Sequence, residues 1–156
     1  MSMEIERKFL VDGDFRAEKS HSYRITQGYI CPQSGRTVRV RRRDDRGFLT
    51  IKGPSLDGGI SRFEWEKEIS LDDVRQLMSL CDDVIDKTRH IVPFCGHIFE
   101  VDEFYGDNEG LIVAEVELQS TDEEFLKPEW LGREVTGDNR YFNSQLVKNP
   151  YKNWVK

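Results

Sequence analysis

The sequence predicts a mainly β, α+β fold, in which antiparallel strands carry a few short helices. Three observations favour this class. Alternation of apolar and polar residues with a period of two dominates the chain, turn-forming residues separate the alternating segments, and helical periodicity is confined to three short stretches. The 156 residues are a usual length for one domain, so we expect a single domain over residues 1–156.

Eight segments have the alternation of strands. Turn chemistry rich in Gly, Asp and Asn separates many of them, as at residues 44–47, 53–59 and 106–108, and residues 45–47 have the composition of a hairpin tip. The predicted strands lie near residues 3–11, 22–30, 36–43, 47–52, 62–69, 84–92, 97–104 and 111–119.

Three segments have helical features. Ser70 and Asp73 form a capping box with Asp in place of Glu, and apolar residues follow at helical spacing. Thr121 and Glu124 form a second capping box, which predicts a helix after it. The third segment, residues 138–147, predicts a C-terminal helix.

Composition excludes several classes of function. The net charge of −6 disfavours a general nucleic-acid binder or a protein that adheres to acidic membranes, and no stretch of 18 apolar residues predicts a membrane span. The N-terminal segment has no apolar signal core. The three cysteines, Cys31, Cys81 and Cys95, have no Cys-x-x-Cys spacing, so we expect no disulfide framework and a cytoplasmic location.

The polar faces of the predicted strands are almost entirely ionic. Arg39, Arg41 and Arg43 share one face of a strand, and Glu115 and Glu117 share a face of another. For any single strand, a solvated face explains this pattern. Like charges that cluster on successive strands, however, repel one another, and a purely structural face would intersperse the signs. The joint pattern favours strands that close around a lumen whose ligand needs both acids and bases.

A polyphosphate with a divalent cation satisfies both kinds of charge. Arginine and lysine suit phosphate oxygens, whereas clustered carboxylates repel phosphate unless a cation lies between them. Mg²⁺ or Mn²⁺ binds through a few carboxylates together with substrate phosphates. A zinc site is disfavoured because His21, His90 and His97 lack ligand spacing.

Seven charged segments, taken in order, resemble the CYTH superfamily, the triphosphate tunnel metalloenzymes, and most resemble its short bacterial inorganic triphosphatase-like members. They are Glu4-Ile5-Glu6-Arg7-Lys8 (the ExExK signature), Val38-Arg39-Val40-Arg41, Thr50-Ile51-Lys52, Glu64-Trp65-Glu66, Asp86-Lys87-Thr88-Arg89, Phe99-Glu100-Val101-Asp102 and Glu115-Val116-Glu117. The resemblance implies a closed eight-stranded antiparallel β-barrel tunnel with short helices outside it. It also implies binding of a triphosphate together with a divalent metal.

The resemblance also implies roles for individual residues. The phosphate-binding residues it implies are Lys8, Arg39, Arg41, Lys87 and Arg89. Glu4, Glu6, Glu115 and Glu117 are implied as ligands of Mg²⁺ or Mn²⁺, with exposed surface acids as the alternative.

Tyr29 and Lys52 form a further implied pair, in which the lysine helps the tyrosine to activate water. A nearby ammonium favours the phenolate form of a tyrosine, although a role for Tyr29 in the core or rim stays open. Glu66 and Asp102 are expected to orient basic side chains or to hold a second cation. Arg43 either supports the phosphate site or is solvated.

Residues near the C-terminus have weaker assignments. Arg140 and Tyr141 lie in a segment that resembles a tunnel-plugging helix. Trp130 and Trp154 either pack against the core or form the contact of a homodimer.

These residues predict a metal-dependent hydrolase that converts inorganic tripolyphosphate to diphosphate and phosphate. Adenylate cyclase, thiamine triphosphatase and a non-catalytic binder of polyphosphate or nucleotide stay open as alternatives. The expected partner is a small-molecule triphosphate, without nucleic acid or membrane.

Overall fold

The computed structural model describes residues 2–33 and 35–154, and within them nine strands form one antiparallel sheet. The strands are β1 (Ser2–Val11), β2 (His21–Cys31), β3 (Thr37–Arg43), β4 (Arg46–Leu56), β5 (Ser61–Ile69), β6 (Val84–Phe94), β7 (His97–Phe104), β8 (Ile112–Glu117) and β9 (Leu131–Glu134). Two α-helices accompany them, α1 (Leu71–Met78) and α2 (Asn143–Leu146).

Eight of the strands close into a barrel. Their order is β5-β4-β3-β2-β6-β7-β8-β1, and residues 2–5 of β1 pair back onto residues 61–64 of β5. The predicted fold class and all eight predicted strands are therefore confirmed. The ninth strand, β9, was not predicted; it pairs with β1 at Phe9 and Val11, beyond the part of that edge that β5 occupies.

Helix α1 begins at the predicted cap and packs on the outside of β2, β3 and β4. The Ser70 hydroxyl accepts a hydrogen bond from the Asp73 backbone N–H at 3.0 Å. Two glycines let the helix approach closely: a Cβ at Gly28 would lie 2.7 Å from Cys81 Sγ, and one at Gly47 would lie 2.4 Å from Val74 Cγ2.

The helix predicted after Thr121 is wrong. The Glu123 carboxylate accepts a hydrogen bond from the Gln119 backbone N–H and contacts the His97 ring, each at 2.6 Å, and these contacts hold the segment in an irregular loop. Phe125 from this loop packs edge-on against Phe9. Tertiary packing therefore overrides the local capping signal.

The predicted C-terminal helix is present but shorter than expected. A 3₁₀ turn at Asn139–Tyr141 precedes α2, and Phe142 between them has an extended backbone with a ψ of 131°. The break arises because residues 142–144 enter the mouth of the barrel, as described below.

The apolar faces of the strands lie outside the barrel, where loops and short helices cover them. One core cluster surrounds Phe9 and Phe99, and Trp130, which is 3% exposed, belongs to it. A second cluster includes Tyr141 and Leu146, and Trp154 packs against it. Both tryptophans therefore have packing roles. No helix in the described part of the chain has the length and apolar character needed to span a membrane.

Candidate active site

The ionic faces of the strands converge on one cavity of about 210 Å³ inside the barrel. Asp102 is the exception among the residues predicted for the site; it lies buried behind the lining. The predicted residues that line the cavity are Glu4, Glu6, Lys8, Tyr29, Arg39, Arg41, Arg43, Lys52, Glu66, Lys87, Arg89, Glu115 and Glu117.

The order of the strands separates the charges into two walls. The basic wall carries Arg39 and Arg41 on β3 and the pair Lys87 and Arg89 on β6, with β2 between these strands. The acidic wall consists of the adjoining strands β8, β1 and β5 on the other side of the ring. Its carboxylates are Glu4, Glu6, Glu64, Glu66, Glu115 and Glu117. The walls are joined through β4 and β7.

Carboxylates oppose one another directly on and beside the acidic wall. Glu6 is the cross-strand partner of Glu117, and Glu115 is the partner of Glu100 on β7. Burial, and then the charges of Glu115 and Glu4, raise the pKa of Glu6 well above its usual value. Burial also raises the pKa of Glu117, again with help from neighbouring carboxylates. Burial and mutual repulsion thus disfavour the ionisation of both Glu6 and Glu117.

The donor chemistry of the acidic wall fits Mg²⁺ or Mn²⁺, which prefer carboxylate oxygens. Two lysines form ion pairs with carboxylates of this wall: Lys52 Nζ lies 2.9 Å from Glu4 Oε1, and Lys8 Nζ lies 3.6 Å from Glu115 Oε1. Among residues 2–33 and 35–154, no three His, Cys, Asp or Glu side chains already converge as a ligand set. A cation there would therefore compete with the two ammonium groups for the carboxylates.

On the basic wall, the Arg41 guanidinium makes no ion pair with a carboxylate of residues 2–33 or 35–154, and Arg39 Nη2 lies 3.5 Å from Glu66 Oε2. Both Nε and Nη2 of Arg41 donate to the Gln27 side-chain oxygen, at 2.9 and 2.6 Å. Burial, and then the charges of Arg39 and Arg89, lower the pKa of Arg41. Arg39 Nη2 donates to Thr50 Oγ1 at 3.1 Å, and the buried Nε of Arg39 has no hydrogen-bond partner within the part of the chain that the structure describes. An anionic ligand would supply the missing acceptors.

Asp102 orients the other half of the basic wall. Its carboxylate, 2% exposed, accepts hydrogen bonds from Lys87 Nζ at 2.7 Å and from Arg89 Nε and Nη2 at 2.8 and 2.9 Å. These two cations hold the pKa of Asp102 far below its ordinary value, although burial alone would raise it. Arg89 Nη1 also donates to Glu100 Oε2, at 3.4 Å. Burial, reinforced by Arg89 and Arg41, lowers the pKa of Lys87 to about 7.

Tyr29 and Lys52 both line the cavity, but no hydrogen bond joins them in the described part of the chain. Tyr29 Oη accepts a hydrogen bond from Gln27 Nε2 at 3.1 Å. Lys52 Nζ donates to both oxygens of Glu4, at 2.9 and 3.1 Å, and lies 3.4 Å from Glu64. Burial lowers the pKa of Lys52, but these carboxylates outweigh it and the net shift is upward.

Glu66 and Arg43, the two remaining residues predicted as supporting groups, both line the cavity. Glu66 Oε2 accepts a hydrogen bond from the Thr50 hydroxyl at 2.8 Å and lies 3.5 Å from Arg39 Nη2. Arg43 lines the cavity, and its guanidinium lies over the rings of Tyr23 and Phe48, 4.9 Å from each centroid.

The residues that reach the cavity from the C-terminal segment are Phe142, Asn143 and Ser144. Asn143 Oδ1 accepts hydrogen bonds from Lys87 Nζ at 2.9 Å and from Gln27 Nε2 at 3.2 Å. The sequence-based choice of Arg140 and Tyr141 as the plug is therefore displaced by one to three residues. Arg140 is exposed and Tyr141 packs in the outer core.

Several residues that line the cavity or contact its lining were not predicted. Gln27 shares a strand face with Tyr29, so alternation alone was a usable signal for it. Arg62 shares a face with Glu64 in the same way. Asn143 had no such signal, because its role depends on a contact with a residue 116 positions away.

Comparison with known proteins places these features in a family. A family model described as the CYTH domain matches residues 2–147. An inorganic triphosphatase from Acetivibrio thermocellus is 49% identical over 156 residues, which covers 99% of each chain. One from Nitrosomonas europaea is 36% identical over 149 residues, covering 92% of this chain and 96% of the relative. A crystal structure of an inorganic triphosphatase is similar with a TM-score of 0.67 and 34% identity, covering 92% of this chain and 97% of that chain.

Proposed function

The chain belongs to the CYTH family, and from this premise we propose that it is a divalent-metal-dependent hydrolase that cleaves inorganic tripolyphosphate to diphosphate and phosphate. One observation carries the proposal. Arg41 is 8% exposed, yet among the described residues its guanidinium has only the neutral oxygen of Gln27 as an acceptor. A buried cation without an anion is costly, and a phosphate group provides the anion with bidentate geometry.

The extent of the basic wall supports a chain of phosphates over a single phosphate group. Arg39 and Arg41 occupy one strand and Lys87 and Arg89 another, and Lys8 faces the same cavity from β1. Five cationic side chains in one enclosed lumen match the several charges of a triphosphate. In a low-dielectric cavity they would also stabilise the charge that develops on the transferred phosphoryl group.

The acidic wall supports the metal part of the proposal. Glu4, Glu6, Glu115 and Glu117 would hold Mg²⁺ or Mn²⁺, which would neutralise phosphate charge and act as a Lewis acid. The carboxylates would then also keep the lumen from binding any anion that arrives without a cation. This requirement gives the site selectivity for metal–phosphate complexes.

The proposed reaction is the in-line attack of water on a terminal phosphorus. A bond forms between the water oxygen and the phosphorus, and the bridging bond to the neighbouring phosphate breaks, so diphosphate leaves. Tyr29 lies in the cavity and would take the proton of the attacking water as general base. Lys52 would enter the pair only after it exchanges its carboxylate partners.

Phosphate release tests the proposal. The purified chain is incubated with tripolyphosphate, ATP or thiamine triphosphate, with Mg²⁺, Mn²⁺ or EDTA, and both phosphate and cyclic AMP are measured. We expect phosphate from tripolyphosphate, abolished by EDTA. Cyclic AMP from ATP would favour a cyclase, and phosphate mainly from thiamine triphosphate would favour a thiamine triphosphatase. A thermal shift with tripolyphosphate but no release would favour a non-catalytic binder.

The cysteines support a cytoplasmic location for this activity. All three are free: Cys31 and Cys81 are partly buried and Cys95 is exposed. A reducing compartment preserves exposed thiols.

A further inference from the structure

Gln27 is a fully buried amide at the centre of the hydrogen-bond network of the cavity. Its side-chain oxygen accepts two hydrogen bonds from Arg41, at 2.9 and 2.6 Å. Its side-chain nitrogen donates to Tyr29 Oη at 3.1 Å and to Asn143 Oδ1 at 3.2 Å. All the hydrogen-bonding directions of this amide are therefore directed at groups of the site.

The orientation of the amide is fixed by its partners. An arginine only donates hydrogen bonds, so the oxygen of Gln27 must face Arg41 and the nitrogen must face Tyr29. The Tyr29 oxygen then accepts, and its own hydrogen points away from Gln27. Asn143 strengthens this assignment, because its oxygen already accepts from Lys87 Nζ at 2.9 Å.

We propose that Gln27 is a positioning residue that holds Tyr29 in the geometry of a general base; the inference rests on the proposed function, in which Tyr29 takes the proton of water. The charge of Arg41 polarises the amide and strengthens its donation to the tyrosine oxygen. A donor aimed at that oxygen stabilises the phenolate form. Lys52, held by Glu4, makes no such contact.

A double-mutant cycle tests the assignment. Gln27→Glu keeps an acceptor for Arg41, but its carboxylate cannot donate to the tyrosine; Gln27→Met removes both contacts. Each is made in the presence of Tyr29 and in the Tyr29→Phe background. With Tyr29 present, we expect kcat for tripolyphosphate to fall about five- to tenfold, the value of one hydrogen bond. In the Tyr29→Phe background, we expect no further loss, and equal losses in both backgrounds would overturn the assignment.

A spectroscopic titration gives a readout that does not depend on turnover. The tyrosinate absorbance of Tyr29 is isolated as the difference between the chain and its Tyr29→Phe variant. We expect the phenolate of Tyr29 to form at higher pH when Gln27 is Met, and an unchanged titration would overturn the proposal. If the unmodified chain releases no phosphate, the proposed function fails, and this titration still decides whether the hydrogen bond from Gln27 acts on Tyr29.

Gln76→Met is the matched control for these variants. Gln76 lies exposed on α1 and donates to Asp72 Oδ2 at 2.8 Å, away from the cavity. The same chemical change there should leave kcat and the tyrosine titration unchanged. Thermal unfolding of every variant establishes that the barrel remains folded, and Gln27→Glu serves where Gln27→Met does not fold.

Discussion

Replacing Asp102 with asparagine removes the carboxylate that accepts hydrogen bonds from two buried cations, Lys87 and Arg89. A second carboxylate, that of Glu100, lies 3.4 Å from Arg89. Asparagine has nearly the same shape, but one oxygen becomes an NH₂ group. That group must face a donor, because both Lys87 and Arg89 only donate. The variant therefore turns an N–H donor toward at least one of the two cations, while Asn143 Oδ1 still accepts from Lys87 and Glu100 Oε2 still accepts from Arg89.

The expected loss is large because the pair is fully enclosed. Asp102 is 2% exposed and Lys87 is 1% exposed, and removing one partner of such a pair costs about 3–5 kcal/mol of the free energy of unfolding. For a domain of this size, each kcal/mol lowers the melting temperature by about 2–4 °C, so we expect a drop of roughly 6–20 °C.

Urea denaturation of the Asp102→Asn variant measures this loss, and Asp107→Asn is its control. Asp107 pairs with Lys152 at 3.0 Å on the surface, with both side chains more than half exposed, so the same change there should stay within about 0.5 kcal/mol. A loss below about 1 kcal/mol in Asp102→Asn, or a loss equal to that of the control, would refute the reasoning.

The contribution of Asp102 to the free energy of unfolding should also depend on pH in a definite direction. The pKa of Asp102 is lowered in the folded chain, so its contribution is present above the unfolded value of about 3.9 and is lost as the pH falls below it. The gap between the unmodified chain and Asp102→Asn should therefore narrow below about pH 4. A gap that stays constant at acid pH would contradict this account.

Three further changes test the walls and the base. Glu6→Gln should raise the melting temperature in EDTA by about 2–4 °C at about pH 8. The pKa of Glu6 is raised in the folded chain, so the ionisation of Glu6 destabilises the fold as the pH rises. The same variant should abolish metal-dependent phosphate release, and a lower melting temperature would contradict this account. Tyr29→Phe should lower kcat about 10²–10⁴-fold with little change in KM. If steady-state kinetics show an unchanged kcat, Tyr29 is not the general base. Arg41→Met should raise KM for tripolyphosphate at least about tenfold. Arg42 is exposed and donates a hydrogen bond to the Asp44 carbonyl, so Arg42→Met should leave KM unchanged. Equal effects of the two substitutions would refute the assignment of Arg41 as a phosphate-binding residue.

The alternation of apolar and ionic residues predicted the barrel strands, because one face of each strand lies inside the closed sheet and the other lies outside it. The short strand β9 was missed because four residues, Leu131–Glu134, are too few to display a period, and their pairing depends on a free edge of β1. The helix expected after Thr121 failed for the same reason: Glu123 finds a distant partner in His97, which no local rule contains.

The pattern of charged residues predicted which residues lie in the candidate site, but it did not predict which of their side chains contact one another. Ionic side chains stand out in a sequence, so most residues of both walls could be named before the structure was known, although Glu64 was left without a role. Neutral hydrogen-bonding groups do not stand out, and Gln27 and Asn143 were missed although they connect Arg41, Tyr29 and Lys87. The position of Lys52 against Glu4 depends on how three strands lie side by side, which spacing along the chain does not determine.

The closure of the ring at β1 has a consequence for how the chain folds during synthesis. Strands β1 to β7 can assemble as an open sheet, but the last joint, between β8 and β1, forms only after residue 117 has left the ribosome. That seam sets Glu6 against Glu117, so closing the ring disfavours the ionisation of both carboxylates. A divalent cation bound between these carboxylates, as we propose for the site, should therefore hasten the refolding of the chain.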